Sequence, residues 1–108
     1  MDSAEVGDWA PLSIEISGEP EELVVVLTGE LDISNIRILQ ARVDEALDDR
    51  PALLVFDLGD LRFLDSSGIG LLLRIASKVE RVRLRRPSEI VRQIVHYMGL
   101  SDVLPIES

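Results

Sequence analysis

The chain has 108 residues and a mass of 12.0 kDa, which fits one compact domain and is too short for two ordinary ones. Hydrophobic residues make up 46% and aromatic residues 4%, so a core is available and must be built from leucine, isoleucine and valine. The absence of cysteine excludes disulfides, thiolate metal sites and a cysteine nucleophile. No apolar run reaches the length of a membrane span and the N-terminus is acidic, so we expect a soluble cytoplasmic protein.

Charge is distributed unevenly along the chain, whose net charge is −9. Residues 1–60 hold 15 acidic and 3 basic side chains, whereas residues 61–108 hold 5 acidic and 8 basic ones. An acidic chain repels a phosphate backbone unless its basic residues are segregated on one face. The one basic cluster, residues 81–86, alternates with Val82 and Leu84 as the solvent side of a strand does, and no aromatic residue is interleaved for base stacking. We therefore expect no nucleic-acid partner.

The first third of the chain predicts a β-hairpin. Residues 12–17 alternate apolar and polar side chains, which is typical of a half-buried strand. Residues 23–27 form a continuous valine-rich run, which predicts a strand buried on both faces. Gly18-Glu19-Pro20 lies between them and indicates a turn.

A helix and a further strand follow the hairpin. Apolar residues at helical spacing predict a helix over residues 36–47, with Asp32 or Ser34 available to cap it. Residues 52–56 predict a second buried strand, and residues 58–64 read as an irregular connection.

The last third predicts helix, strand and helix. Residues 69–79 carry a wide apolar face, and residues 82–84 predict a short buried strand. Ser88 is placed to cap a third helix over residues 90–98, which Gly99 ends. Strands that alternate with helices imply an α/β fold with a partly parallel sheet of about four strands, opened by an antiparallel hairpin and covered by helices. We assign residues 12–108 to this single domain and residues 1–11 to an N-terminal extension.

Three aspartates, Asp32, Asp57 and Asp65, follow or end predicted strands, where functional groups of open α/β sheets gather. Carboxylates can bind Mg²⁺, and Asp57 stands where a receiver domain carries its aspartyl phosphate. That chemistry needs a lysine on a later strand, and the single lysine, Lys78, falls in or just after the second helix. We therefore expect a solvated acidic rim without metal, and an Asp57 that caps the loop after it.

The run Asp65-Ser66-Ser67-Gly68 opens the second helix, where a Ser or Asp side chain serves as N-cap. Two serines and an aspartate are more polar side chains than one N-cap requires. Gly68 and Gly70 stand in the first turns, where glycine costs about 1 kcal/mol relative to alanine, which indicates that another backbone comes close. A hydroxyl at a helix N-terminus faces a positive dipole, so a phosphate on Ser66 is expected to change the surface and leave the fold standing.

Ser66 as a hydrolytic nucleophile needs a base. The single histidine, His96, is predicted on the solvated side of the third helix, and the sequence has no Gly-x-Ser-x-Gly elbow. We therefore expect no catalytic residue, no cofactor and no enzymatic activity.

Several elements together resemble the STAS domain, and within it the stand-alone bacterial anti-sigma factor antagonists. In chain order they are Gly29-Glu30-Leu31-Asp32, Leu54-Val55-Phe56-Asp57-Leu58, the run from Phe63 to Gly70, Pro87-Ser88 with Val91 and Ile94, and Met98-Gly99-Leu100. The resemblance covers about residues 12–106. It departs from the family at residues 77–80, which are short and lack the usual glycine-containing turn, and in the basic strand that follows.

The resemblance implies a partner switch. The first serine of the family's element, here Ser66, is the phosphorylation site, with Ser67 as the second choice. The unphosphorylated form binds an anti-sigma factor serine kinase with the histidine-kinase-like ATPase fold, which frees a sigma factor, and a PP2C-type phosphatase restores it. The partner-binding residues that the resemblance implies are Asp32, Asp65, Ser66, Ser67, Gly68, Ile69 and Gly70. The alternative is a non-catalytic STAS subunit of a transporter or of a lipid-trafficking ATPase complex.

Overall fold

The computed structural model describes residues 12–19, 21–47 and 51–107. The predicted N-terminal extension lies outside the described residues. The elements in chain order are β1 (Leu12–Glu19), β2 (Glu22–Leu31), α1 (Ile36–Ala46), β3 (Leu53–Leu64), α2 (Ser66–Ala76), β4 (Arg81–Arg85) and α3 (Glu89–Tyr97). None of the helices in these ranges, each of nine to eleven residues, has the length and apolar character that a membrane crossing requires.

The four strands form one sheet in the order β1-β2-β3-β4. The hairpin β1–β2 is antiparallel, and β2–β3 and β3–β4 are parallel. The predicted mixed sheet with alternating helices is confirmed. The C-terminal tail extends the far edge, because Ile106 forms a parallel bridge with Leu84.

The core lies between one face of the sheet and all three helices. Alternate residues of β2 and β3 point into it, since successive side chains of a strand face opposite ways. The strand contribution includes Val25, Leu27, Leu54, Phe56 and Leu58, and the helix contribution includes Leu39, Val43, Ile69, Leu72, Ile75, Val91 and Val95. Among the described residues the core is aliphatic, apart from the buried aromatic side chain of Phe56.

β2 is less buried than its sequence predicts. Val25 and Leu27 are fully buried, whereas Val24 and Val26 are half-buried. The reason lies in the neighbouring strand, because Val24 pairs with Ser17 and Val26 with Glu15, and both β1 residues are exposed. The prediction of a strand buried on both faces was wrong for β2 and holds for the amino-terminal half of β3, from Leu53 to Leu58.

Residues 58–64 are strand rather than the irregular connection that the sequence predicted. The pairing with β2 shifts twice, between Val26 and Thr28 and between Gly29 and Glu30, so that β3 carries two extra residues. These bulges break the alternation of apolar and polar positions, which is the signal that identifies a strand from sequence. β3 therefore continues to Leu64, directly before the Asp65 element.

Two further local predictions have different outcomes. The N-cap of α1 is Asn35, with no side-chain capping hydrogen bond, so the assignment to Asp32 or Ser34 was wrong. Ser88 caps α3 as predicted, because its Oγ accepts a hydrogen bond from the Val91 N–H at 3.3 Å. The short segment 77–80 suffices to connect α2 to β4, whose first N–H, on Arg81, donates to the Ala52 carbonyl at 3.0 Å.

Candidate functional site

The ends of β2 and β3 bring two aspartates to one edge of the sheet. Leu31 and Leu64 are paired as the last residues of these parallel strands. Asp32 and Asp65 follow them, and the Asp65 N–H donates to the Leu31 carbonyl at 3.3 Å. The strand register therefore places these two predicted site residues side by side, as the carboxyl ends of parallel strands require.

Asp65 is the N-cap of α2. Its Oδ1 accepts hydrogen bonds from the Gly68 N–H at 3.0 Å and from the Ser67 hydroxyl at 2.5 Å. The Ser67 hydrogen bond is the main reason why the pKa of Asp65 lies below its usual value. Backbone N–H groups of Gly68, Ile33 and Ser67 add to the lowering, while burial opposes it. The carboxylate thus stays ionised while it closes the first turn of the helix.

The two serines of this element differ in exposure and in bonding. The Ser67 side chain is half-buried, and its hydroxyl is occupied by Asp65. Ser66 is exposed, and its hydroxyl makes no hydrogen bond to any residue that the structure describes. Ser66 is therefore the hydroxyl of this pair that an approaching enzyme or partner meets first.

Gly68 and Gly70, the two glycines of this element, differ in the space around them. A Cβ on Gly68 would collide with the Leu64 Cδ1 and lie 3.2 Å from Leu31 side-chain atoms. The prediction that another backbone comes close to Gly68 was wrong for the described chain, because the atoms nearest to such a Cβ belong to side chains. A Cβ on Gly70 would meet only Arg74 Nη1, at 3.7 Å, so no close approach within the described chain explains Gly70.

The Asp32 turn resembles the Asp65 turn in its hydrogen bonds. The Asp32 Oδ1 accepts from the Ser34 hydroxyl at 2.5 Å and from the Ser34 N–H at 2.9 Å. Asn35, 5% exposed, stabilises this turn with two hydrogen bonds. Its Oδ1 accepts one from the Asp32 N–H, and its Nδ2 donates one to the Glu30 carbonyl. Sequence analysis missed Asn35, whose signal is a small amide directly before the apolar spacing of a helix.

Apolar side chains flank the two aspartates. Ile33 is 75% exposed and Phe63 is 50% exposed, and both were missed as candidate site residues. Ile69, by contrast, is 2% exposed and belongs to the core. Gly68 is buried as well, so these two predicted partner-binding residues support the surface from beneath.

Asp57 does not join this edge. It lies in the interior of β3, opposite Val26 and Arg85, and both of its oxygens accept hydrogen bonds from Arg86 at 2.8–3.2 Å. Burial alone would raise the pKa of Asp57, but the hydrogen bonds from Arg86 and the Gly59 N–H and the charges of Arg86 and Arg85 outweigh it and lower the pKa. The interpretation of Asp57 as a structural residue that caps the following loop is confirmed by the 3.1 Å bond from Gly59.

The arrangement offers no three-residue cluster of metal-ligating side chains within the described ranges. His96 is exposed, as predicted, and its ring stands edge-on to Tyr97 with centroids 5.7 Å apart. The edge provides an exposed hydroxyl on Ser66, the side chains of Asp65 and Asp32, and apolar side chains at its rim.

Comparisons with known proteins agree with this geometry. The STAS domain family model described as "Mlab, STAS domain" matches residues 14–105. The anti-sigma-F factor antagonist RsfB of Mycobacterium tuberculosis is 30% identical over 104 residues, which cover 92% of this chain and 85% of RsfB. The anti-sigma F factor antagonist of Paenibacillus polymyxa is 31% identical over 100 residues, which cover 88% of this chain and 86% of that protein.

Solved structures share the fold. The anti-sigma factor antagonist SpoIIAA in its unphosphorylated form superposes with a TM-score of 0.76 at 26% identity, over 89% of each chain. An anti-sigma factor antagonist from Mycobacterium paratuberculosis superposes with a TM-score of 0.79 at 23% identity, over 88% of this chain and 84% of the other. By family model, relatives and fold together, the chain belongs to the STAS domain family and, within it, to the anti-sigma factor antagonists.

Proposed function

We propose that this chain binds an anti-sigma factor that is also a serine kinase, and that phosphorylation of Ser66 releases it. The unmodified form holds the kinase and thereby frees a sigma factor, and a PP2C-type phosphatase reverses the modification. In this role the chain is a cytoplasmic binding protein without catalytic activity of its own. The observation that carries the proposal is the exposed Ser66 hydroxyl, free of hydrogen bonds to the described residues, beside a Ser67 hydroxyl that is already bonded.

Relatives support the proposal. SpoIIAA, to which this chain is similar, has been solved in an unphosphorylated form and in a phosphorylated form, at 26% and 25% identity. Those forms belong to SpoIIAA. The element from Asp65 to Gly68 is the part of this chain in which the same modification is expected.

The position of Ser66 suits a reversible phosphate. Ser66 is the first residue of α2, and the first turn contains no acidic residue. The helix dipole favours a negative group there, so about −1.5 to −2 added charges leave the fold intact. The modified and unmodified forms then differ at the surface and not in the core.

The same phosphate is unfavourable in a docked complex. A hydroxyl is buried at an interface at little cost if it makes one hydrogen bond, whereas a phosphate at the edge that carries Asp32 and Asp65 adds like charge and desolvation. A penalty of about 4 kcal/mol corresponds to a thousandfold loss of affinity. That change is large enough to switch a complex off without any refolding.

The test is affinity for the kinase, measured by calorimetry or interferometry with purified proteins. Ser66→Ala is expected to bind as wild type and to stay bound in the presence of Mg-ATP. Ser66→Asp is expected to bind more weakly than wild type but less weakly than the phosphorylated protein, because it adds one charge without the volume of a phosphate. Ser101→Asp adds the same charge at an exposed position of the C-terminal segment and is the matched control.

Two results would overturn the proposal. One is a Ser66→Asp variant that binds the kinase as tightly as wild type and as the Ser101→Asp control. The other is capture of a transporter ATPase in place of a small kinase when the tagged chain is purified from its own cells, which would favour the STAS-subunit alternative.

A further inference from the structure

We propose that a groove beside the Ser66 element, between the end of β3 and the start of α3, receives one apolar side chain of the anti-sigma factor. This inference rests on the proposed function and names a second contact of the same docking surface. The groove is lined mainly by Leu61, Phe63, Leu64, Ile90 and Val91.

The groove exists because β4 is shorter than β3. β4 pairs with β3 only from Leu53 to Asp57, so β3 runs on to Leu64 with no described strand on that side. The chain turns away through residues 86–88 and returns as α3, whose first turn faces the unpaired part of β3. An apolar space open to solvent is left between the two elements.

The size of the groove indicates what fits it. Its volume is about 160 Å³, well below the roughly 300–1,000 Å³ of sites that hold a small-molecule ligand. A space of this size suits one apolar side chain of a protein partner, and anchor residues that fill a pocket dominate the affinity of many interfaces.

The rim of the groove contains Arg62 and Ser88 but also two accessible apolar side chains. Phe63 is 50% exposed and Ile90 is 63% exposed, and the two side chains line the same space. Single exposed apolar residues are ordinary on a protein surface, but a contiguous apolar patch marks an interaction site.

The groove is continuous with the Ser66 element. Leu64 lines the groove, precedes Asp65 in the chain and occupies the space where a Cβ of Gly68 would fall. The groove therefore adjoins the Ser66 element through Leu64. Because Asp65 and Asp32 lie at the same edge, while the exposed Arg62 also lines the groove, we assign to the partner an apolar anchor with a basic side chain on the Asp65 side only.

An ion pair near the groove joins β3 to the segment that leads into α3. Arg86 adopts φ +54°, and its side chain packs over Gly59. Its guanidinium donates hydrogen bonds to the carboxylate of Asp57 in the middle of β3. This contact fixes the segment that leads into α3 relative to β3. A preformed groove loses less conformational entropy on binding than a mobile one.

The experiment compares single truncations of exposed apolar side chains in the full-length chain. Phe63→Ala and Ile90→Ala are each expected to weaken binding of the purified kinase at least tenfold and to leave the melting temperature close to that of wild type. Met98→Ala and Val103→Ala remove side chains that are 58% and 47% exposed elsewhere on the surface. These matched controls are expected to bind as wild type.

The outcomes separate the two proposals. If wild type binds and Ser66 switches it, but Phe63→Ala and Ile90→Ala bind as the controls do, the groove proposal is overturned and the proposed function stands. If wild type does not bind the kinase, the proposed function itself fails.

Other occupants of the groove would give different results. If wild type sediments as a dimer and Ile90→Ala as a monomer, the groove would be assigned to a second copy of the chain, and the proposal would be overturned. If Trp9→Ala binds the kinase more tightly than wild type, and this gain disappears when Phe63 is also replaced, the groove would be assigned to the N-terminal segment. That result would also overturn the proposal.

Discussion

The turns that follow β2 and β3 have similar hydrogen bonds but different structural roles. Each begins with an aspartate whose Oδ1 accepts a 2.5 Å hydrogen bond from the hydroxyl of the serine two residues later, Ser34 or Ser67. Asp65 also caps the following helix through the Gly68 N–H, whereas Asp32 does not cap α1, which begins after Asn35. One aspartate is therefore committed to a helix start, and the other is held only within its own turn.

This difference explains how one edge combines stability with a switch. The cap fixes Asp65 and Ser67 in the structure, so the free hydroxyl of the second turn is Ser66. The Asp32 turn contributes a second carboxylate and the exposed Ile33 without anchoring a helix. We infer that substitutions in the Asp65 turn change stability and those in the Asp32 turn mainly change binding.

The largest effect on stability is expected at Gly68, where the two turns meet. Gly68→Val places a branched side chain against Leu64 and Leu31 and is expected to lower the free energy of unfolding by about 2 kcal/mol. Gly70→Val, two residues on, would make only an ordinary van der Waals contact with Arg74; it is the matched control and is expected to be within about 0.5 kcal/mol of wild type. Urea denaturation followed by circular dichroism measures both, and equal losses would contradict the packing at Gly68.

The next effect separates the two aspartates. Asp65→Ala removes the cap of α2 and is expected to cost about 1 kcal/mol of unfolding free energy. Asp32→Ala is expected to cost less than about 0.5 kcal/mol, as surface substitutions away from caps usually do. The same denaturation experiment decides between them, and a larger loss for Asp32→Ala would show that the asymmetry of the turns is wrong.

The smallest effect concerns pH. Since the pKa of Asp65 is lowered in the folded state, ionised Asp65 stabilises the fold above the unfolded-state pKa of about 3.9. This contribution is lost as the pH falls through the still lower folded-state pKa. Asp65→Asn keeps a good N-cap residue but removes the charge, so the stability difference between wild type and Asp65→Asn is expected to shrink between pH 6 and pH 3. A difference that stays constant over this range would contradict the lowered pKa, since Asp57 contributes equally to both proteins.

The sequence predicted those features that depend on local patterns. The strand and helix order, the Ser88 cap and the Asp65 element follow from apolar spacing and capping residues that lie within a few positions of one another. Asp32, Asp57 and Asp65 were all expected beyond the carboxyl ends of the strands; the paired residues Leu31 and Leu64 bring Asp32 and Asp65 together, whereas Asp57 lies inside β3.

Features that depend on distant pairing were not predictable in the same way. The ion pair between Asp57 and Arg86 joins residues 29 positions apart. The strand character of residues 58–64 depends on bulges that erase the alternation, and the exposure of Phe63 depends on where β4 ends. Each is set by the register of neighbouring strands, on which a single sequence carries little information.

The most direct test of the central claim is to locate the phosphate. The purified chain is incubated with the anti-sigma factor kinase and Mg-ATP, and the modified residue is mapped by mass spectrometry in wild type, Ser66→Ala and Ser67→Ala. We expect a single phosphate on Ser66, no phosphate on Ser66→Ala, and a modified Ser67→Ala. A phosphate on Ser67 or Ser34, or an undiminished signal from Ser66→Ala, would contradict the assignment of Ser66 as the switch.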